Sequence, residues 1–528
     1  MEPTLWVSET TRNVPAASVA GRQGEQVEQA LSPGGAIRVL GAVLVAATLA
    51  LGACGGSEGG PVGPAQPAAS TPDTDAAVQP GVDGGANPGI DAAGDPDAPE
   101  AGDPTVREYK INQCISPENG RGIWSLVMDG AEIKIMGNEP NAYYAVAALP
   151  VLEDFDGGHF ELRGEFPRAR LFSFGIAKSE EDPGTDDTYA DYVTDHEILP
   201  VPGSVNPYLP GSNPAKTSGQ RYVLKLDDRE SCLAQRAAGG LTDTLCGAGA
   251  YAASVAQENH VLHRIYEGPD APELPDIFYV YRTDRPVPQG PEICAHIDPT
   301  PTLLGFPAPM MKSASQGADS VAETLANDLQ EPPNHTPTPG VDWVYQPIDF
   351  SGWANHSGDY IYAVVDPFVA PYAVVSFRAP TATRYDQVIE PGPTQQVCYY
   401  SVCIMNRTNL LYTYACVRDQ ELTPDASGRV HIVLSSKADK PAWVDACHQP
   451  WLAYPCNKPE LWIRHLQADP LAFPQSHDHF AEDPRYQPQL DADAPENIDA
   501  LREHMADYYP EVTYYTAAEL AERFDCNR

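Results

Sequence analysis

The sequence predicts a mostly β protein. It should form two consecutive antiparallel β-sandwich-like domains with short helical insertions and a helical C-terminal tail, after a disordered N-terminal tether. Three observations carry this. Short β-like runs recur along most of the chain, and in places, as in His159-Phe160-Glu161-Leu162-Arg163, their apolar and polar residues alternate as half-buried antiparallel strands require. Fifty-three prolines break the rest into brief, turn-bounded elements. Residues 54–106 are mostly Gly, Pro, Ala, Ser, Thr and Asp with no Lys or Arg, so they bury too little apolar surface to fold.

Length and charge narrow the functional classes. The 528 residues leave room for several domains, and 42% hydrophobic with 9% aromatic content excludes a wholly disordered chain. A net charge of −40 repels phosphate backbones and anionic headgroups, which excludes a nucleic-acid partner.

Taken in order, the chain opens with a 53-residue leader. Residues 39–53 are an apolar run after Arg38, too short to span a bilayer comfortably, ending in Leu51-Gly52-Ala53-Cys54. That ending resembles the lipobox of bacterial lipoproteins, which implies that Cys54 is the lipid-bearing residue of the mature chain. The 38 residues before the run are long for a signal, which points to a downstream start codon. Gly55 follows the lipidated position in place of an Asp, so the expected location is the cell envelope at the outer membrane or surface. The tether of residues 54–106 has a root-mean-square reach of about 40 Å.

Residues 107–285 read as the first β-rich domain, with strands at 122–127, 131–136, 142–148, 159–165, 170–176, 221–226 and 276–281 and two short helices inserted within 227–258. Residues 286–340 form a Pro-rich linker with a helical island at 318–329. Residues 341–474 form the second domain, with strands at 360–365, 372–378, 397–404, 410–417, 429–434 and 460–466. Residues 475–528 are an acidic, partly helical tail with helices at 497–508 and after the capping-box spacing Thr516-Ala517-Ala518-Glu519.

Eleven cysteines less Cys54 leave ten, in a chain whose leader sends it out of the reducing cytoplasm, so disulfides are expected. Cys447 and Cys456 bracket a Pro-containing loop that can close on itself. Cys232 and Cys246 flank a Gly239-Gly240 turn. For the hairpin of residues 397–417 the pattern leaves two registers, one placing Cys398 opposite Cys416 and one placing Cys403 there, and the apolar faces favour the first.

Phe166-Pro167-Arg168-Ala169-Arg170-Leu171-Phe172-Ser173-Phe174, Pro202-Gly203-Ser204-Val205-Asn206-Pro207 and Tyr399-Tyr400-Ser401-Val402-Cys403 with Cys416 resemble an uncharacterised group of exported bacterial proteins. The resemblance spans roughly residues 138–473. It implies a two-part, mostly β protein of unknown activity, and it implies that Cys403 and Cys416 belong together. Cys398 stands where that pattern carries Arg, so either cysteine of the first strand remains a partner for Cys416.

No HExxH, GxSxG, P-loop or EF-hand pattern occurs. Three constellations remain. His477-Asp478-His479, with Glu482 and Asp483, would place two imidazoles on one side of an extended segment, spaced for a divalent metal, or would be an acidic loop with incidental histidines. The acidic residues between Glu180 and Glu197 offer calcium ligands or a solvated loop. Tyr143, Tyr144, Tyr360, Tyr362, Tyr399, Tyr400, Tyr412 and Tyr414 lie on strands, where they can stack on sugar rings or pack a core. Ser173 and the Arg464-His465 pair have no spacing that links them. The reading is a lipid-anchored extracytoplasmic protein that binds a glycan or small-molecule ligand without catalysis or cofactor. The alternative is a metal-assisted hydrolase at His477 and His479.

Overall fold

The strands assemble into two sandwiches built on one plan. The computed structural model describes residues 103–114, 123–124, 126–130, 134, 138–152, 156–177, 189–236, 239–250, 258–268, 272–297, 315–317, 320, 329, 331–332, 334–346, 358–382, 395–406, 412–524 and 526. All of these belong to one unit, Val82–Arg528. The leader with Cys54, the tether up to residue 102, the strand expected at 131–136 apart from Lys134, most of the helical island and residues 178–188 of the acidic run lie outside the described residues.

After β1 (Val106–Lys110) the first half runs β2 (Leu126–Asp129), β3 (Ala142–Pro150), β4 (Gly158–Glu165), β5 (Leu171–Ala177), β6 (Tyr189–Thr194), β7 (Arg221–Asp227), α1 (Ser231–Arg236), β8 (Thr244–Cys246), β9 (Glu258–Tyr266) and β10 (Asp276–Arg282). The second half runs β11 (Val344–Gln346), β12 (Tyr360–Val364), β13 (Tyr372–Arg378), β14 (Tyr399–Asn406), β15 (Tyr412–Arg418), β16 (Arg429–Ser435), α2 (Trp443–Ala446), β17 (Trp451–Ala453), β18 (Glu460–Leu466), α3 (Pro495–Met505), β19 (Glu511–Tyr515) and α4 (Ala517–Phe524).

The second half repeats the first strand for strand. One sheet has the order β2-β3-β9-β5-β6 and its counterpart β11-β12-β18-β14-β15. The other has β10-β4-β7-β8, extended by β1 at the β10 edge, against β19-β13-β16-β17. Even the single parallel pair recurs, β7 with β8 and β16 with β17, each time after a short helix. Each sandwich has its own core. Phe160, Phe172, Phe174, Leu224 and Ile265 fill the first, and Ile361, Val375, Val402, Ile432 and Ile463 the second.

Four disulfides staple the body: Cys114–Cys294, Cys232–Cys246, Cys403–Cys416 and Cys447–Cys526. The Cys232–Cys246 pair spans the expected turn, where Gly239 and Gly240 take φ of +73° and +93°, a region that favours glycine. The expected Cys447–Cys456 loop does not form. β17 intervenes and carries the chain about 10 Å along β16, so Cys447 is left to meet Cys526 beyond α4. Cys456 is buried and lies outside the four bonds.

The hairpin register also differs from the one the pattern favours. Cys403 faces Cys416, with Val402 opposite Val417, and a bulge follows Ile404. The slip is an odd number of residues, so it turns the other face of β15 to the core: Val417 and Ala415 join Val402 and Ile404 there. The tail is part of the sandwich, because β19 pairs with β13 and Leu501 and Met505 enter the second core.

Candidate functional site

Alternation buries one face of β3, β5 and β9 in the first core, and the other face of that sheet is also buried, against the matching face of the β14 and β18 sheet. Tyr144, Leu171, Ser173, Arg264 and Tyr266 are at most 6% exposed, as are Tyr399, Ser401, Cys403 and Arg464. The repeat places the same chemistry on both sides. Arg264 lies in register between Tyr144 and Ser173, and Arg464 between Tyr360 and Ser401. Two rows of Tyr, Arg and Ser therefore line the seam between the halves, and Tyr266 meets Tyr399 at 5.6 Å between ring centres.

Glu139, on the approach to β3, sits in this seam with no exposed surface. Its carboxylate accepts from the Tyr399 hydroxyl, from Ser401 Oγ at 3.1 Å and from Arg464, whose Nη1 lies 3.1 Å away. Its backbone N–H donates to the Tyr144 hydroxyl at 3.2 Å. Burial pushes the Glu139 carboxyl up to about 7 against the opposing pull of Arg464 and Ser401. Burial also pushes the Tyr360 hydroxyl up to about 12.

A second set of bonds ties the halves at the rim. Arg170 donates from Nη1 to Asp419 Oδ1 at 2.7 Å and from Nη2 to Asp419 Oδ2, and from Nε to the Cys398 carbonyl at 2.8 Å. Glu267 accepts from Arg170 and from Gln420 Nε2 at 2.7 Å. Gln467 Nε2 reaches Asp195 Oδ1 at 3.2 Å. Asp195 and Asp419 occupy equivalent one-turn helices, after β6 and after β15. Asp195 also accepts from the backbone N–H groups of Phe172 and His196, so its place in the acidic run is that of a buried structural cap.

His477 and His479 lie in a 3₁₀ turn, His477–Glu482, and not in an extended segment. At three residues per turn, side chains two apart diverge. His477 is buried, bonded through Nε2 to the Asp359 carbonyl at 3.0 Å and stacked on His465 with ring centres 4.1 Å apart. Burial pushes it down to about 3 and pushes the intervening Asp478 carboxyl up to about 7. Asp478 accepts from the Asp359 and Ala468 N–H groups, and Asp483 pairs with His504 and Arg485. Among the described residues, the one group of three His, Cys, Asp or Glu side chains within metal-ligand spacing is Glu139 with Cys403 and Cys416, whose sulfurs are already joined.

The tyrosines do not form an open sugar platform. Tyr144 and Tyr399 line the seam, Tyr400 and Tyr414 pack in the second core, Tyr143 packs on the first, and Tyr362 stacks on Trp462 at 5.6 Å. An open cleft lies elsewhere, along the first sandwich beside β4, β7 and β10. Its volume is about 1030 Å³, and Glu108, Arg163, Arg168, Arg221, Glu273 and Phe278 are among its lining residues. Arg163 lies over the Phe278 ring at 4.3 Å and pairs with Glu108 and Glu161. The mixture of guanidinium donors, carboxylate acceptors and an aromatic ring suits an uncharged polyhydroxylated ligand.

Sequence reasoning missed β9, and with it Arg264, because residues 227–258 read as helical insertions and nothing was assigned beyond them. The β-branched and aromatic residues Val261, Ile265 and Tyr266 were the available signal. Glu139 gave none, being a single acidic residue outside any periodic run.

No family model and no curated protein matches the chain. Among solved structures it is similar to an uncharacterised protein from Burkholderia cenocepacia. That match has 13% identity and a TM-score of 0.36, covering 68% of this chain and 82% of that one. It is also similar to the VPA0106 protein from Vibrio parahaemolyticus, with 10% identity and a TM-score of 0.30, covering 66% and 87%.

Proposed function

We propose that this chain is an exported bacterial protein anchored through a lipid on Cys54, and that its folded body binds a glycan or other polyhydroxylated ligand in the cell envelope. The observation that carries the binding reading is the cleft of about 1030 Å³, whose lining combines guanidinium and carboxylate groups with Phe278. Hydroxyls both donate and accept, so such a lining serves a sugar better than it serves an ion of either sign. Four disulfides support an oxidising compartment outside the cytoplasm, and the lipobox-like Leu51-Gly52-Ala53-Cys54 supports the anchor.

Titration calorimetry of the oxidised protein against a panel of neutral and charged oligosaccharides tests the cleft. Arg168 and Glu273, both exposed at its rim, are the residues to change. Arg168→Ala or Glu273→Ala should weaken the bound saccharide about tenfold, one hydrogen bond to a charged group. Affinity unchanged in both variants would remove the cleft from the reading. Membrane fractionation tests the anchor: Cys54→Ala should move the protein from the membrane to the soluble fraction.

A further inference from the structure

The outer face of the sheet β17-β16-β13-β19 carries an array that none of the groups above uses. Ser376 on β13 and His431 on β16 are directly opposed in register. Ser376 Oγ lies 2.7 Å from His431 Nδ1, and His431 Nε2 lies 3.1 Å from Asp425 Oδ2. Asp425 is fixed by its own turn: its Oδ1 accepts from Ser427 N at 2.8 Å, Ser427 Oγ at 2.6 Å and Arg429 N at 3.0 Å. Those donors leave Oδ2 to the imidazole, and with the His431 bond they hold the carboxyl below its ordinary range. With its proton on Nε2, toward Asp425, the His431 ring presents the Nδ1 lone pair to the serine hydroxyl.

The surroundings fix the ring and supply charge. Gln449 Nε2 donates to the His431 carbonyl, and Phe524 of α4 lies beside the imidazole with ring centres 5.2 Å apart. The Cys447–Cys526 bond ties the end of α4 to the residue after α2, on this side of the sheet. Arg429 Nη2 donates to the Ser376 carbonyl at 3.0 Å and also meets Glu511 at 3.1 Å, so a guanidinium is held against the main chain of the serine. The site is open to a reactant: the His431 side chain is 18% exposed and that of Asp425 44%.

We propose that Ser376, His431 and Asp425 form a nucleophilic relay that hydrolyses small acyl esters at this face. Nucleophile, base and orienting carboxylate stand within hydrogen-bond reach in that order, the arrangement that activates a serine hydroxyl. Ser376 Oγ attacks the ester carbonyl carbon while its proton passes to His431 Nδ1. The resulting oxyanion forms on the sheet face that also carries Arg429, two residues from His431 on the same strand. Collapse breaks the ester C–O bond, and His431 returns the proton to the leaving alcohol. Water, deprotonated by His431, then attacks the acyl-serine and releases the carboxylic acid, with Ser376 regenerated.

The test uses the full oxidised protein with 4-nitrophenyl acetate as substrate and a fluorophosphonate as covalent probe, the labelled peptide being located by mass spectrometry. The expected result is 4-nitrophenolate release, a probe adduct on Ser376, loss of turnover in Ser376→Ala, and a fall of roughly 100-fold or more in His431→Ala, within the span of general-base catalysis. Thermal unfolding of each variant shows whether it folds, and if Ser376→Ala does not, the adduct position on the wild-type chain decides. Hydrolysis no faster than in buffer, turnover unchanged in folded Ser376→Ala, or an adduct on a different residue overturns the proposal.

Discussion

At the scale of single residues the informative group is Glu139, whose carboxylate is wholly buried beside Arg464. Burial raises its carboxyl from an ordinary 4.5 to about 7. A carboxyl whose folded value is raised keeps its full contribution to stability below the unfolded value and loses it as pH climbs through the folded value. The wild-type chain should therefore lose stability between about pH 4.5 and 7 relative to Glu139→Gln, which cannot ionise. Denaturant midpoints of both proteins at pH 5 and pH 8 check this, and an equal gap at the two pH values would contradict it. Nothing in the sequence singles out this residue. Its importance comes from Tyr399, Ser401 and Arg464, which lie 260 or more positions away and reach it only when the two halves meet. Asp195 shows the opposite failure: an acidic cluster was visible, but its use as a buried acceptor for Phe172 N–H depends on β5 lying beside β6.

At the scale of elements, turn-bounded runs rich in β-branched, aromatic and aliphatic residues were legible almost to the residue, as Tyr372–Arg378 and Glu460–Leu466 show. Short strands such as Thr244–Cys246 and Trp451–Ala453 were not, because three residues carry no period. The Cys447–Cys456 expectation failed for the same reason, since the reach of Cys447 is set by a strand too short to read, whereas Cys232–Cys246 and Cys403–Cys416 form. α4 depends on that pairing. The helix is eight residues long, too short to be stable in isolation, and it is held by Leu520 against Val374 and Val433 and by the disulfide just beyond it. A bond closing a 79-residue separation contributes roughly 2 to 4 kcal/mol. Cys526→Ser should lower stability by that order and raise hydrogen exchange in residues 517–524 first. Unchanged exchange there would show that packing alone holds the helix.

At the scale of the whole molecule, the repeat explains why the seam carries matched rows and why its rim bonds are nevertheless unequal. The repeat is faintly legible: Asp195-His196-Glu197-Ile198 and Asp419-Gln420-Glu421-Leu422 each follow an edge strand and precede a proline at the same spacing. Register places Leu171 and Tyr399 at equivalent positions, so Arg170 corresponds to Cys398. One buried aspartate, Asp419, thus receives a guanidinium from the other half, and its counterpart Asp195 receives the Gln467 amide instead. If Arg170 and Asp419 couple the halves, removing Arg170 leaves the Asp419 charge buried without its guanidinium, at a cost of about 3 to 5 kcal/mol, removing Asp419 leaves Arg170 with Glu267 alone and costs less, and removing both costs less than the sum. Arg170→Met, Asp419→Asn and the double variant, compared by denaturant unfolding, measure that coupling. A coupling of about 1 kcal/mol or more assigns the pair a part in joining the sandwiches. Additive losses would instead leave that task to the Glu139 seam, where three donors from the second half converge on one carboxylate of the first.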